Sequence, residues 1–179
     1  MHRLLVRSLA VLSAGLLLGP IAGAQVPAHN AQKFASVYAQ VVEIFGGQAA
    51  FQTAYEEARA EQARVETALQ LSLNLEARFR ANNAVKSADI YLNAANGLRT
   101  TVENLRVTFT KLEALNTPLD ETRAKAAYDR VIAEHAAIFQ KPLTEQFDYS
   151  KAHKLSEEPL RAVQTAANTL IAVAEKKPG

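Results

Sequence analysis

His135 is the residue of this chain whose type and place in the pattern come nearest to chemistry. It falls on the apolar side of a helical stretch, one turn from Val131, Ile138 and Phe139. An imidazole so placed is either a ligand or polar contact in a pocket between helices, or a hydrogen-bonded histidine of the core, which is the commoner case. The pocket reading groups His135 with Tyr128, Phe139 and Phe109. These aromatics recur at helical spacing, where they fill cores more often than they line cavities. His29 lies in an extended lead-in, and His153 with Glu157 has the i, i+4 spacing of a surface pair.

Other chemistries lack their residues. There is no His-Glu-x-x-His helix and no Glu-x-x-His pair, so zinc-protease and di-iron sites are not expected. The chain has no cysteine, and Met1 is its one methionine, which removes covalent haem attachment and methionine ligation. Gly46-Gly47 is a two-glycine turn, not a phosphate loop. Serines and threonines are plentiful, but none has a neighbour that suggests an activated nucleophile. The expectation is a protein that is not an enzyme, with no catalytic, metal-binding or cofactor-binding residues.

Two surface features are candidates for partner contact. Arg78, Arg80 and Lys86 cluster around Asn82-Asn83, a basic tip that suits an acidic partner or is an ordinary solvated turn. Phe147 and Tyr149 stand in a polar stretch without periodicity, where aromatic rings are free to serve as an exposed contact. In the same stretch Leu143-Thr144-Glu145-Gln146 resembles the Leu-Thr-x-x-Gln element of the small periplasmic all-helical stress chaperones of the Spy and CpxP family. The match spans four residues and occurs once. That family is strongly charged and rich in methionine, and this chain is neither, so the likeness assigns no family.

The elements that must hold these residues begin after a leader. Arg3 and Arg7, an apolar run over 9–18, the breaker Gly19-Pro20 and the small residues Ala22-Gly23-Ala24 follow the order of a secretory signal. The run is too short to span a bilayer, and no cysteine is present for lipidation. Residues 1–24 are therefore expected to be removed, leaving 25–179 as one periplasmic or secreted domain without a transmembrane segment. Loss of Arg3 and Arg7 takes the 20 basic residues down to 18, equal to the 18 acidic ones. A neutral, mixed surface gives no footprint for nucleic acid.

The mature chain reads as helices throughout. Leu98, Val102, Leu105, Phe109, Leu112 and Leu115 form a heptad-like seam. A first helix over 30–45 carries Phe34, Val37, Tyr38, Val41, Ile44 and Phe45 on one face and stops at Gly46-Gly47. A second, over 48–80, buries Phe51, Tyr55, Val65 and Leu69 and turns Glu56, Glu57, Arg59, Glu61, Arg64 and Glu66 to solvent. Its alternating Leu69, Leu71, Leu73 and Leu75 have a strand's period, but no second such run exists to pair with it.

The third helix starts near Ala84, with Val85, Ala88, Tyr91, Leu92 and Ala95 on one side. The phase of its seam carries it through Asn96-Gly97. Thr117 and Pro118 suit the cap and first turn of a fourth helix, reaching to about Gln140 and burying Ala124, Tyr128, Val131, Ile132, His135, Ile138 and Phe139. Residues 143–155 read equally as helix or loop, and a last helix follows Ser156.

Short connections make consecutive helices antiparallel. The expected fold is all-α, an up-and-down antiparallel bundle of four main helices plus a shorter N-terminal helix, with the tip around 78–86 projecting. The expected role is an exported envelope protein acting as a non-enzymatic interaction or chaperone-like module, binding another envelope protein or itself. The alternative is a carrier of lipid, haem or metal with its pocket between helices.

Overall fold

The turns that cut this chain into helices are set by residues that accept left-handed backbone. Gly46 and Gly47 have φ of 85° and 118°, a region that side chains with a Cβ disfavour. There the Gly47 amide returns to the Val42 carbonyl at 2.8 Å and closes the helix end. Asn83 (φ 59°) and Asn116 (φ 49°) do the same work at the next two turns, asparagine being the side chain that best tolerates that conformation.

The computed structural model describes residues 26–152, 155 and 157–177. The expected signal segment and His153 lie outside them. Between the turns run α1 (Ala31–Ile44), α2 (Gln48–Ala81), α3 (Val85–Ala114), α4 (Glu121–Ala136), α5 (Leu143–Ala152) and α6 (Glu157–Ala174). Tight helical turns at Ala28–Asn30 and Ala137–Gln140 precede α1 and follow α4. Among the described residues there is no strand; the alternating leucines lie within α2, where Leu69, Leu71 and Leu75 are buried and Leu73 is half-buried. Gly97 does not interrupt α3.

α2, α3, α4 and α6 form the up-and-down bundle. α4 runs alongside α2 in the same direction, with Tyr55 bonded to Glu121 and Glu66 to Tyr128. α6 follows α3, joined by Thr108–Asn168 and Lys111–Glu175. The shorter α1 lies against α6, and Asn30 Nδ2 donates to the carbonyls of Ala174 (3.1 Å) and Lys176 (2.7 Å). The main core, including Phe51, Tyr55, Phe109, Leu112, Val163 and Leu170, joins α2, α3 and α6. A smaller one of Ala60, Ala63, Ala127 and Val131 joins α2 to α4, where alanines let two helices approach closely.

Several expectations need correction. The fourth helix begins at Glu121 and not at Pro118, because Asp120 is its cap and accepts the Arg123 amide at 3.0 Å. Gln52 fixes that cap by exchanging two bonds with the Asp120 backbone, at 2.8 and 3.2 Å. Glu61 and Glu66 are buried, 3% and 7% exposed, where a solvated face was expected. The reason is that α3, α4 and α6 all pack on α2, so part of its polar side is covered while Glu57 and Arg64 keep the solvent. Conversely Ile44, Val85 and Ile132 are exposed, although their spacing assigned them to buried faces.

The ambiguous segment 143–155 is helical to Ala152. Lys141-Pro142 breaks the chain before it, and Gln146 spans the break. The Gln146 amide donates to the carbonyls of Lys141 (2.8 Å) and Phe139 (3.3 Å), while its oxygen accepts from Asn74 at 2.6 Å. This is the Gln of the Leu-Thr-Glu-Gln run, and its side chain is fully buried.

Two outcomes follow from this geometry. A Cβ at Gly97 meets nothing within 4 Å, so Gly97→Ala should stabilise the fold by about 1 kcal/mol in urea denaturation. Gln146→Ala removes the partner of the half-buried Asn74 amide and of the Phe139 carbonyl, and should cost about 2 kcal/mol in the same measurement.

Candidate functional site

The packing of α3 and α4 against α2 gathers charged side chains into a network. Arg106 on α3 grips Glu66 with two nitrogens, at 3.1 and 2.7 Å. The Tyr128 hydroxyl donates to the same carboxylate at 2.9 Å, and Gln62 at 3.0 Å. Burial works to raise the Glu66 pKa, but these donors outweigh it and hold the group below its ordinary value. Tyr128 is pushed up to about 12, first by burial and then by the charge of Glu66.

Two turns earlier on α2, Arg59 pairs with Glu113 and lies over the rings of Phe109 (5.4 Å) and Tyr128 (5.8 Å). Tyr55 donates to Glu121 at 2.8 Å. Burial, joined by the Glu113 charge, raises the Glu121 carboxyl above its ordinary value despite that bond. These contacts make the network an electrostatic clamp of α3 and α4 onto α2, with Arg59 Nε and Gln62 Oε1 left without a hydrogen-bond partner. It also claims Tyr128 and Phe109, which separates them from His135.

His135 is half-buried and hydrogen-bonded to Tyr149, their rings edge to face with centroids 5.5 Å apart. The pair stands on the wall of a cavity of about 430 Å³ enclosed by α2, α3, the end of α4 and α5. Leu71, Leu98 and Leu155 supply apolar surface, while Ala68, Ala94 and Ala152 leave the space open. Arg64 also lines it and is bonded to Glu61 at 2.8 Å. Burial raises the Tyr149 pKa, which keeps the hydroxyl protonated. Phe139 sits in the tight turn after α4 and offers its carbonyl to Gln146. Of the four pocket residues named from sequence, the structure puts His135 on this cavity.

The partner-contact residues are also sorted by the fold. Tyr149 belongs to the cavity. Phe147 is half-buried and packs edge-on to Phe79 and Tyr91, each 6.4 Å away, with the Lys151 ammonium 3.8 Å from its ring centre. Arg80 is shared between Glu76 and Asp89. Arg78 donates to the Lys141 carbonyl at 3.3 Å and so helps hold the break before α5. Lys86 is exposed.

A second concavity, of about 860 Å³, runs between α1 and α6. Val37, Val41 and Phe45 line one side and Ala162 and Ala166 the other, with Glu158 and Arg161 at the rim. Ile44 borders it at 81% exposure. Sequence reasoning missed this groove because it counted Ile44 into a buried face. The available signal was that α1 offers six apolar positions to a neighbour whose face has four large apolar side chains, Leu160, Val163, Leu170 and Ile171.

Among the described residues no group of three or more His, Cys, Asp or Glu side chains converges as metal ligands, and no helix is long and apolar enough to cross a membrane. Comparison with protein-family models, with curated proteins and with solved structures gives no match to this chain.

The clamp on Glu66 has a pH signature. The lowered pKa means that its contribution is present above the ordinary carboxylate range and is lost as pH falls through the folded value. Glu66→Gln should therefore cost about 1–3 kcal/mol near neutral pH. In urea titrations the gap between variant and wild type should narrow steadily below about pH 4.

Proposed function

We propose that the chain acts, after export, as a non-enzymatic interaction module of the bacterial envelope, receiving an amphipathic helix of a partner protein between α1 and α6. The observation that carries this reading is the groove of about 860 Å³ with Ile44 standing exposed on its edge. A monomer gains nothing in water from leaving that surface bare. Helices recognise helices by laying one apolar stripe into such a groove, with polar rims fixing orientation. Here Gln40 lies on one bank and Glu158 and Arg161 on the other. Export is supported by the order of charge, apolar run, breaker and small residues in 1–24.

A second reading, a carrier of a small ligand, is favoured by the separate cavity beside His135 and Tyr149. Its volume and its few convergent polar groups on apolar walls fit the usual form of a ligand pocket.

Site-directed photocrosslinking in the native envelope distinguishes a docking groove from general stickiness. A probe replacing Ile44 should give a discrete adduct with another protein, and a probe at Asn104, on the exposed side of α3, should not. Ile44→Asp combined with a probe at Thr165 should weaken the adduct at least tenfold. Equal labelling from Ile44 and Asn104, or none from either, overturns the groove. An adduct between two copies of this chain makes the partner a second subunit.

A further inference from the structure

We infer that the cavity between α2, α3 and α5 is a binding site for a medium-chain carboxylate, its chain on the leucine wall and its head at Arg64 beside the His135–Tyr149 pair. This rests on the carrier reading above and names the ligand class for it.

The wall chemistry is divided. Leu71, Leu98 and Leu155 offer only hydrocarbon, and the small side chains of Ala68, Ala94 and Ala152 leave the space open, the last two at exposed positions. Two hydroxyls on the lining are engaged by the protein itself. Thr67 donates to the Ala63 carbonyl at 2.8 Å, and Ser150 to the Phe147 carbonyl at 2.7 Å. The Tyr91 hydroxyl lies 3.4 Å from Ser150 Oγ. That leaves Arg64, with Ser72 and the mutually bonded His135–Tyr149 pair beside it, to meet a polar head.

Arg64 brings the permanent positive charge. Its side chain is 45% exposed, and its bond to Glu61 uses one nitrogen of the fork. A guanidinium presents five N–H donors, so a second carboxylate can be bound without breaking the first pair. The Tyr149 hydroxyl feels the same cation and the Glu134 carboxylate, and where His135 Nδ1 carries the proton the Tyr149 hydroxyl is left to donate to a ligand carboxylate.

Size sets the chain length. At roughly the volume of one water molecule, about 30 Å³, for each heavy atom, the cavity holds about fourteen such atoms. That is a carboxylate of ten to twelve carbons, with the α1–α6 groove, twice as large and without a wall of this polarity, as the competing location.

Isothermal titration of the whole exported chain with dodecanoate tests the assignment, alongside dodecanol as the neutral analogue. The expected result is saturable binding at one site per chain, at least tenfold tighter for dodecanoate. Arg64→Gln should remove most of that preference while leaving dodecanol binding unchanged. Ala94→Phe, at an exposed helical position that fills the cavity, should abolish binding of both. Thr165→Phe in the α1–α6 groove should affect neither. Equal affinity for the two amphiphiles, both lost in Ala94→Phe, overturns the carboxylate assignment and leaves the carrier reading standing. Absence of binding by either overturns both. Loss in Thr165→Phe with Ala94→Phe inert moves the ligand to the groove and overturns the site. Circular dichroism of each variant, unchanged in helix content, confirms that the losses are local.

Discussion

The middle of α2 is enclosed by three other helices, and the rest of the structure follows from how its polar side chains are satisfied there. Glu61, Gln62, Glu66 and Thr67 are all buried on about two turns of one helix. Taking a carboxylate out of water costs several kcal/mol unless donors replace the lost hydration. Glu66 obtains four such bonds, from Arg106, Tyr128 and Gln62. Those donors come from α3, from α4 and from α2 itself, so the requirement to satisfy one carboxylate fixes the relative register of three helices. Hydrophobic seams alone are less exacting, since leucines accept many neighbours of similar size. The same enclosure explains why Arg59 lies flat over Phe109 and Tyr128, where its stem is covered and its charge is met by Glu113.

Apolar periodicity made the helices and their alternation readable. The seam from Leu98 to Leu115 is buried at Val102, Leu105, Phe109, Leu112 and Leu115, as its spacing requires. The in-phase run across Gly97 foretold an unbroken α3, and the lack of a pairing partner kept the leucines of α2 out of a sheet. What periodicity could not show was how many neighbours each helix has. A charged position looks solvated in sequence until a third helix covers it, which is how Glu61 and Glu66 were misplaced. The start of α4 escaped for a related reason. Thr117-Pro118 has good local chemistry for a cap, but Gln52, more than sixty residues earlier, holds the backbone at Asp120 and shifts the first turn.

Site residues were legible in type and not in grouping. His135 stood out because an imidazole on an apolar face needs a partner, and it has one in Tyr149. Nothing in the spacing placed Tyr149 there, since that contact depends on the chain reversing at Lys141-Pro142 and on Gln146 tying the reversal down. Tyr128 and Phe109 share helices or seams with the right neighbours, yet they meet at Arg59, whose guanidinium lies 5.8 and 5.4 Å from their ring centres. The Leu-Thr-Glu-Gln run gains a physical meaning independent of any likeness. Its leucine and threonine open α5, and its glutamine supplies two donors and an acceptor at a break where backbone groups would otherwise be bare.

The two concavities are built on elements of unequal firmness, and that bears on how each can be entered. α6 contributes Val163, Ala167, Leu170 and Ala174 to the main core and cannot move without exposing them, so the groove against α1 is held open by a rigid bank. α5 has Gln146 as its one fully buried side chain, the remainder being half-buried or exposed. Elements with few buried apolar groups open at low free-energy cost, well below that of global unfolding. α5 is also the wall that carries Tyr149 and Ala152 into the cavity beside His135. A ligand reaching that space therefore meets a wall held by the side-chain contacts of Gln146, Phe147, Tyr149 and Ser150, while α2, clamped through Glu66, keeps the opposite wall in place.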